Sequence, residues 1–573
     1  MTQIQSKIED ELLAWGFHYT PIQGSYPLIP AFQRTFKTSI GEFKVLIPIE
    51  DATLLILPKP RLVALPEHLS DVRLPHLEGN QTVCLFDETT RNIDPLNSKA
   101  LIAACVVQLE RIIQGWVDGS NYEDIAVEFS SYWSSERACY LLSESIDSKL
   151  YGFDRTTLNG GIVTEYAVAD SVDQAIEWSK KRNRSSNNTL PHELCKVINV
   201  KVRHSFFIPF KQNWPLKNLG EVFTWLGKVD SRASNSLLDK LRNEAKQRST
   251  FMIVMSADTI HVGIKLTLGP MGKAALGINL PKRNKINYKL AFSALSKKHR
   301  VSSFQRFRID NVTAEYVISR NSPSIKSLKN KKVCVIGCGT IGGYLAQGLV
   351  QMGAGTGRGK LCLFDGDVLK TGNLGRHLLG VRYLGERKSD SLSHFLSTQS
   401  LAGNIFAYDV FSESNISGGW DLIVDATGEQ GFSLLLAKWF RKFISKRDNS
   451  YMTLIHSWIS GFGHQAKSLL DDGSSACYAC MFDYTTSPRK ERYPSFGAKK
   501  APDPNVVFKR TCGESHLPFG PEASMTAAAL ALRLLKQEQS IKYNYLQKSL
   551  SDLPIQYPEK HVKSMGSCPI CQS

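Results

Sequence analysis

Two Cys-x-x-Cys pairs, Cys477 with Cys480 and Cys568 with Cys571, bracket a lone Cys512. Thiolates at that spacing reach one ion, and two such pairs complete a tetrahedral zinc site. The pairs are too far apart in sequence for a compact ribbon, so the fold must bring them together. A redox pair or plain core thiols are the competing readings. Cys512 lies among Arg510, Thr511, Gly513, Glu514 and His516, a polar stretch in which Arg510 or His516 would favour the nucleophilic thiolate. Upstream, VCVIGCGTIGG sets Gly337, Gly339 and Gly342 directly after an apolar run. The first glycine permits a tight turn, the second lets phosphate approach, and the third lets the helix pack on the strand; the helix N-terminus attracts the anion. Asp365 closes the next apolar run, where a carboxylate can accept from ribose hydroxyls. This much suits NAD as well as ATP.

These residues need a doubly wound sheet beneath them, and residues 316–573 supply its pattern. LKNKKVCVIGCGTIGGYLAQGLVQMGAG reads strand, turn, helix; KLCLFDGD and WDLIVDATG read as further buried strands, and MTAAALALRLLKQ as a helix. Residues 1–145 read as an α+β domain. IEDELLAWGF has Ile8, Leu12, Leu13 and Phe17 at helical spacing. FQRTFKTSI, EFKVLIPI and TLLILP then predict an antiparallel meander, and a helix is expected after Pro95. Residues 146–315 alternate strand-like runs (GIVTEYAVA, KVINVKVRHSFFIPF, STFMIVMSA) with helix-like ones (DQAIEWSKK, SNSLLDKLRNEAKQR). They carry no chemical motif, and an α+β linker or scaffold domain is expected. The fold class is therefore α/β in three parts.

The residues after Asp365 discriminate between nucleotides. Asp365, Asp367, Asn373, Arg376 and Lys388 stand in DGDVLKTGNLGRH and GERKSD, a polar set suited to a triphosphate and a divalent ion. A dehydrogenase has little use for that arginine and lysine. The pattern D-x-D, N-L-x-R, G-x-x-K resembles the adenylation domain of ubiquitin-activating enzymes and their bacterial ThiF/MoeB relatives. The resemblance implies that Arg376 and Lys388 bind the ATP phosphates, with Asp367 and Asn373 near phosphate and Mg²⁺. It also implies an arginine supplied across a homodimer, which Arg320 matches in place, and a Cys₄ zinc clip. One departure is Gly428, standing where the family carries a metal-binding aspartate; Asp425 or Glu429 could substitute. The position of Cys512 resembles that of the thioester-forming cysteine.

Cys84 follows an irregular loop in LPHLEGNQTVCLFDETTRNIDP and precedes a helix. That order resembles ubiquitin-conjugating enzymes, although their His-Pro-Asn loop is missing. His76 or Asn80 would then stand in for the asparagine; Cys105 and Cys139 read as core residues, and a buried structural role for Cys84 itself is the alternative.

The formal net charge of +17 could serve nucleic acid, but the basic residues are scattered and no recognition motif accompanies them. Direct nucleic-acid binding is not expected. No apolar run of membrane-spanning length is expected, and MTQIQSKIEDELLAWGF is unlike a signal peptide, so a cytoplasmic protein with free thiols follows.

The whole resembles the conjugating–activating fusion of bacterial antiphage CBASS operons. That resemblance implies ATP-dependent adenylation of a partner's C-terminus, that of a cGAS-like nucleotidyltransferase. A thioester relay from Cys512 to Cys84 and ligation to an amine-bearing acceptor protein would follow. The alternatives are a sulfur-carrier adenylyltransferase, which leaves residues 1–145 idle, and a non-catalytic nucleotide-binding scaffold.

Overall fold

The computed structural model describes residues 3–572 except 21, 23–28, 52, 71, 73, 79, 87–93, 128, 130–132, 134–137, 144, 184–189, 204–215, 279–287, 298–299, 322–326, 447–451, 498–508, 512–513, 517–518 and 537–541. The chain divides into two units, residues 1–312 and 313–573.

In the first unit, the helix Gln3–Ala14 buries Ile8 and Leu12. A four-stranded antiparallel sheet follows, in the order His18–Tyr19, Ala31–Thr38, Gly41–Pro48, Arg61–Ala64. The predicted strand TLLILP is not among them; the chain there makes a turn. Asp51 accepts hydrogen bonds from the Thr53 backbone and hydroxyl and from Ile56 N, and Leu54 takes a φ of 58°. Such local side-chain bonding competes with a ladder and wins here, leaving Leu55 and Ile56 exposed. The meander's last strand forms instead at Arg61–Ala64.

The helix Ser98–Asp118 starts where Asn97 Oδ1 accepts from Ala100 N, and it ends at Gly119, in the left-handed conformation with φ 78°. Contrary to the sequence reading, this helix is long and apolar enough, by length and composition, to cross a membrane. Ile102, Val106, Leu109, Ile113 and Trp116 are buried in the unit's core, which makes it a core helix.

Seven strands close a mixed barrel in the order Ile260–Leu268, Val301–Asn311, Ala138–Leu141, Ile162–Ala169, Lys149–Thr156, His192–Lys201, Thr250–Ala257. Cys139, Leu150, Val168, Val197, Met252 and Phe307 fill part of it. Phe129, Trp133 and Trp225 form a buried aromatic triplet with ring centroids 5.6–5.9 Å apart, and Trp133 Nε1 donates to Gly263 O at 3.0 Å.

The second unit is a seven-stranded sheet in the order Ile405–Tyr408, Lys360–Phe364, Lys332–Ile336, Leu422–Asp425, Thr453–Ser460, Gln465–Asp471, Tyr545–Ser549. The first five strands run parallel, and Gln465–Asp471 runs antiparallel to both its neighbours, Thr453–Ser460 and Tyr545–Ser549. The helices Thr340–Gln351, Lys388–Gln399 and Pro521–Leu535 contribute to one hydrophobic cluster, and Gln430–Ile444 to another with the opposite-facing strand residues. The sheet is thus doubly wound, and its order reverses between the strands ending at Ile336 and Asp425, the place where such folds take ligands.

Replacing Trp133 by alanine is expected to cost about 3–5 kcal/mol through the cavity and the lost indole hydrogen bond. A urea titration followed by tryptophan fluorescence checks this, with the midpoint falling and the slope unchanged.

Candidate functional site

The candidate nucleotide site is built at the strand reversal. Gly337 has φ 87°, and a Cβ there would come within 2.9 Å of Ala426 and Thr427 backbone atoms; a Cβ at Gly342 would meet Gly337 O at 1.8 Å. Gly339 caps the helix Thr340–Gln351 and faces open space. Only glycine allows this packing, and it leaves a helix N-terminus uncovered where an anion is favoured.

Asp365 braces the loop. Its Oδ2 accepts from Cys338 N at 2.7 Å and its Oδ1 from Asp367 N at 2.8 Å, and each oxygen keeps a second lone pair able to accept from a hydroxyl. Asp367 accepts from the ammonium of Lys388 at 2.9 Å and, through its carbonyl, from Lys388 N. Lys388 opens the helix Lys388–Gln399 with its side chain 11% exposed. Asn373 spends its carbonyl oxygen on Lys370 N, shaping the turn that carries Arg376. The Arg376 guanidinium stacks 4.1 Å from the Phe519 ring centroid, and burial holds its pKa below the ordinary arginine value. The described residues therefore gather Gly337, Gly339, Gly342, Asp365, Asp367, Asn373, Arg376 and Lys388 into connected turns around one helix N-terminus. Arg320 lies apart from these bonds, exposed in the last turn of the helix Ala314–Asn321 against Tyr316.

Two features of this site are not evident from sequence. His377, next to Arg376, is buried; it accepts from Leu379 N through Nδ1 and donates from Nε2 to Cys338 O at 2.9 Å, so the ring is neutral. Burial lowers its pKa, and the ring locks the arginine-bearing turn to the glycine loop. Asp425 is also buried and accepts from His456 Nδ1, Ser433 Oγ, Thr427 N and Thr427 Oγ1 at 2.5–3.1 Å. Burial pushes its carboxyl up, but these donors outweigh it and hold the pKa below the usual range. Asp425 is thereby committed to structure and does not fit the role of Mg²⁺ ligand; Glu429, at the start of the next helix, remains exposed.

The two Cys-x-x-Cys pairs meet. The sulfurs of Cys477, Cys480, Cys568 and Cys571 lie within 4.8 Å of one another, three are buried and one half-buried. Four thiols crowded in this way suit a tetrahedral zinc ion, whose charge offsets the thiolates. Arg441 fixes the approach by donating to Asp471, Gly473 O and Ser475 O, just before Cys477. Cys512 lies outside the described residues; the strands flanking it, Lys509–Thr511 and Glu514–His516, pair antiparallel.

In the first unit, Cys84 is exposed. Its N–H donates to His76 O at 2.8 Å, and its sulfur lies 3.8 Å from Phe86 O. Leu77 bridges Val83, and Glu78 N donates to Thr82 O, so a short hairpin returns the chain from His76 to Cys84. Asn80 is used in its turn, accepting from Thr82 N. Cys105 and Cys139 are buried.

Residues 33–142 match prokaryotic E2 family B, and residues 315–564 match the ThiF family. The chain is thus a fusion of an E2-like domain with an E1-like, ThiF-type ATP-dependent activating domain. It is homologous over most of its length to Cap2 proteins, called ATP-dependent ubiquitin transferase-like proteins. It is 26% identical to that of Vibrio cholerae serotype O1 over 99% of this chain and 100% of the relative, and 27% identical to that of Escherichia coli strain TW11681 over 94% and 93%. The solved structure of E. coli MccB with MccA-N7isoASN aligns at 20% identity over 44% of this chain and 70% of that one, with a TM-score of 0.31.

Treatment with a zinc chelator under reducing conditions is expected to release zinc from the wild type. Cys480→Ser is expected to purify with substoichiometric zinc and a lowered melting temperature. Metal analysis alongside thermal unfolding checks both. His377→Ala is expected to raise the KM for ATP several-fold in pyrophosphate exchange while leaving zinc content unchanged.

Proposed function

We propose that this protein activates the C-terminal carboxylate of a partner protein with ATP and ligates it to an amine. The observation that carries the reading is the presence, on one chain, of a braced nucleotide loop with a buried lysine and an exposed thiol on an E2-like scaffold. A carboxylate is a poor acyl donor, so chemistry begins by making it a better one. The partner's carboxylate attacks the α-phosphorus of ATP, which enters with Mg²⁺. An acyl–AMP anhydride forms and pyrophosphate leaves. Arg376 and Lys388 neutralise the phosphates, Asp367 sets the lysine, Asp365 takes the ribose, and Arg320 contributes across a homodimer. The Cys512 thiolate then displaces AMP to give a thioester, and the Cys84 thiolate accepts the acyl group by transthiolation. An amine, such as a lysine of an acceptor protein, takes the acyl group as an amide, with His76 beside Cys84 as its base. Zinc on Cys477, Cys480, Cys568 and Cys571 holds the activating domain together.

The relatives' name, ATP-dependent ubiquitin transferase-like protein, supports this reading, as does the match of both domains. The partner is a cGAS-like nucleotidyltransferase of a CBASS system, and its conjugation primes cyclic-oligonucleotide signalling in the cytoplasm. A sulfur-carrier adenylyltransferase would leave the exposed Cys84 without a task.

Incubation with ATP, Mg²⁺ and a cGAS-like nucleotidyltransferase from the same source, read on non-reducing gels, tests the relay. The expected result is a thiol-sensitive adduct absent in Cys512→Ala and stalled on Cys512 in Cys84→Ala. Lys388→Ala should slow pyrophosphate release by about 100-fold or more. An adduct that forms undiminished in Cys512→Ala would overturn the assignment, and no adduct with protein that binds ATP would overturn the partner.

A further inference from the structure

We propose that Asp124 is a positioning residue for acyl transfer at Cys84, setting the tautomer and orientation of His76. This rests on the reading of Cys84 as an acyl carrier. The observation is a contact between His76 Nε2 and Asp124 Oδ2 at 3.0 Å, forty-eight residues apart in sequence, with His76 held opposite the exposed Cys84 by the Cys84 N–His76 O bond of the short hairpin.

Both partners are held from behind. His76 has φ 59°, a left-handed backbone uncommon outside glycine. The conformation is kept by the bond from Cys84 N to His76 O, by the Leu77–Val83 bridge, and by the buried Trp116 indole, which donates to Pro75 O at 2.9 Å. Asp124 follows a turn fixed by Gly119, whose carbonyl accepts from Tyr122 N, and by Asn121, whose side-chain amide donates to Ile112 O while its backbone carbonyl accepts from Asp124 N. Tyr122 and Ile125 on either side are buried. Two independently anchored segments thus deliver a carboxylate to an imidazole. The Asp124 side chain is 53% exposed and that of His76 21%, a degree of exposure at which an ion pair adds little to stability.

The geometry has a chemical consequence. An ionised carboxylate only accepts, so the proton in this contact is on Nε2 and the basic lone pair is on Nδ1. In the transfer step, the amine nitrogen forms a C–N bond to the thioester carbon and the C–S bond breaks. The amine's proton passes to Nδ1, and the Cys84 thiolate leaves, later taking that proton. The ring is cationic between these two transfers, and Asp124 offsets the charge. The carboxylate acts through the ring and touches neither acyl group nor amine. The asparagine of the His-Pro-Asn loop is absent from this chain, and the His76–Asp124 pair supplies a polar device of a different kind beside the thiol.

The full-length chain carrying Cys512→Ser is loaded at Cys84 with a synthetic glycylglycine thioester, and transfer to Nα-acetyl-lysine amide is followed by intact mass. Asp124→Ala is expected to slow discharge about 10- to 100-fold and His76→Ala about 100-fold or more, with loading and alkylation of Cys84 unchanged. Asp124→Asn, which keeps the shape without the charge, should fall between wild type and alanine. Nitrogen-15 spectra of histidine-labelled protein should show one Nε2–H ring, missing in His76→Gln, whose Nε2 resonance shifts in Asp124→Ala as the carboxylate hydrogen bond is lost. Discharge by Asp124→Ala at the wild-type rate overturns the proposal, as does a parallel loss of loading and discharge, which marks a purely structural pair. Failure of the parent chain to take the acyl group at Cys84 would instead sink the acyl-carrier reading.

Discussion

No side chain fits at Gly337 or Gly342, where the strand Lys332–Ile336 turns into the helix Thr340–Gln351, and the second unit is organised around that exclusion. A Cβ at Gly337 would strike the backbone after Asp425, and one at Gly342 would strike the bend itself. Because backbone meets backbone there, the two strand ends lie flush and the helix N-terminus opens outward. The neighbouring polar groups are spent on keeping it so. Asp365 takes two backbone N–H groups, His377 donates to the carbonyl of Cys338, and Asp425 gathers four donors beneath the adjoining turn. A phosphate arriving at this position meets dipoles that need little reorganisation, the condition under which electrostatic stabilisation counts most.

The two halves of the chemistry rest on different supports. The nucleotide groups stand at the ends of buried strands and in turns pinned by buried polar residues. Cys84 is exposed on a loop, and its support is a short hairpin tied to a core tryptophan. On the proposed function this division has a reason: phosphate chemistry needs fixed charge, whereas an acyl carrier must be reached by two different reactants in turn.

The glycine loop, the parallel strands and the joining of the cysteine pairs were legible because each follows from a local rule: apolar runs broken by glycine, and thiols in pairs. The strand expected at TLLILP was misread because β-branched and apolar residues there are outbid by the Asp51 carboxylate, whose bonds to Thr53 and Ile56 fold the chain back. The barrel was legible only as separate strands; nothing in GIVTEYAVA or STFMIVMSA reports which neighbour it will pair with. His377, His456 and Asp124 were missed for a related reason. Each owes its place to a partner remote in sequence or to burial, and a single histidine or aspartate carries no spacing signal.

The barrel's strand order has a consequence for how this chain is made. Ala138–Leu141 is the earliest of its strands, and one of its two neighbours is the last, Val301–Asn311. Everything between must be synthesised before the ring can close, so Ala138–Leu141 waits with an unpaired edge. Closure is a long-range event, slow by the loop entropy it must overcome and exposed meanwhile to pairing with the wrong chain. The rate at which the ribosome delivers residues up to Asn311 therefore sets a lower bound on the lifetime of that open edge.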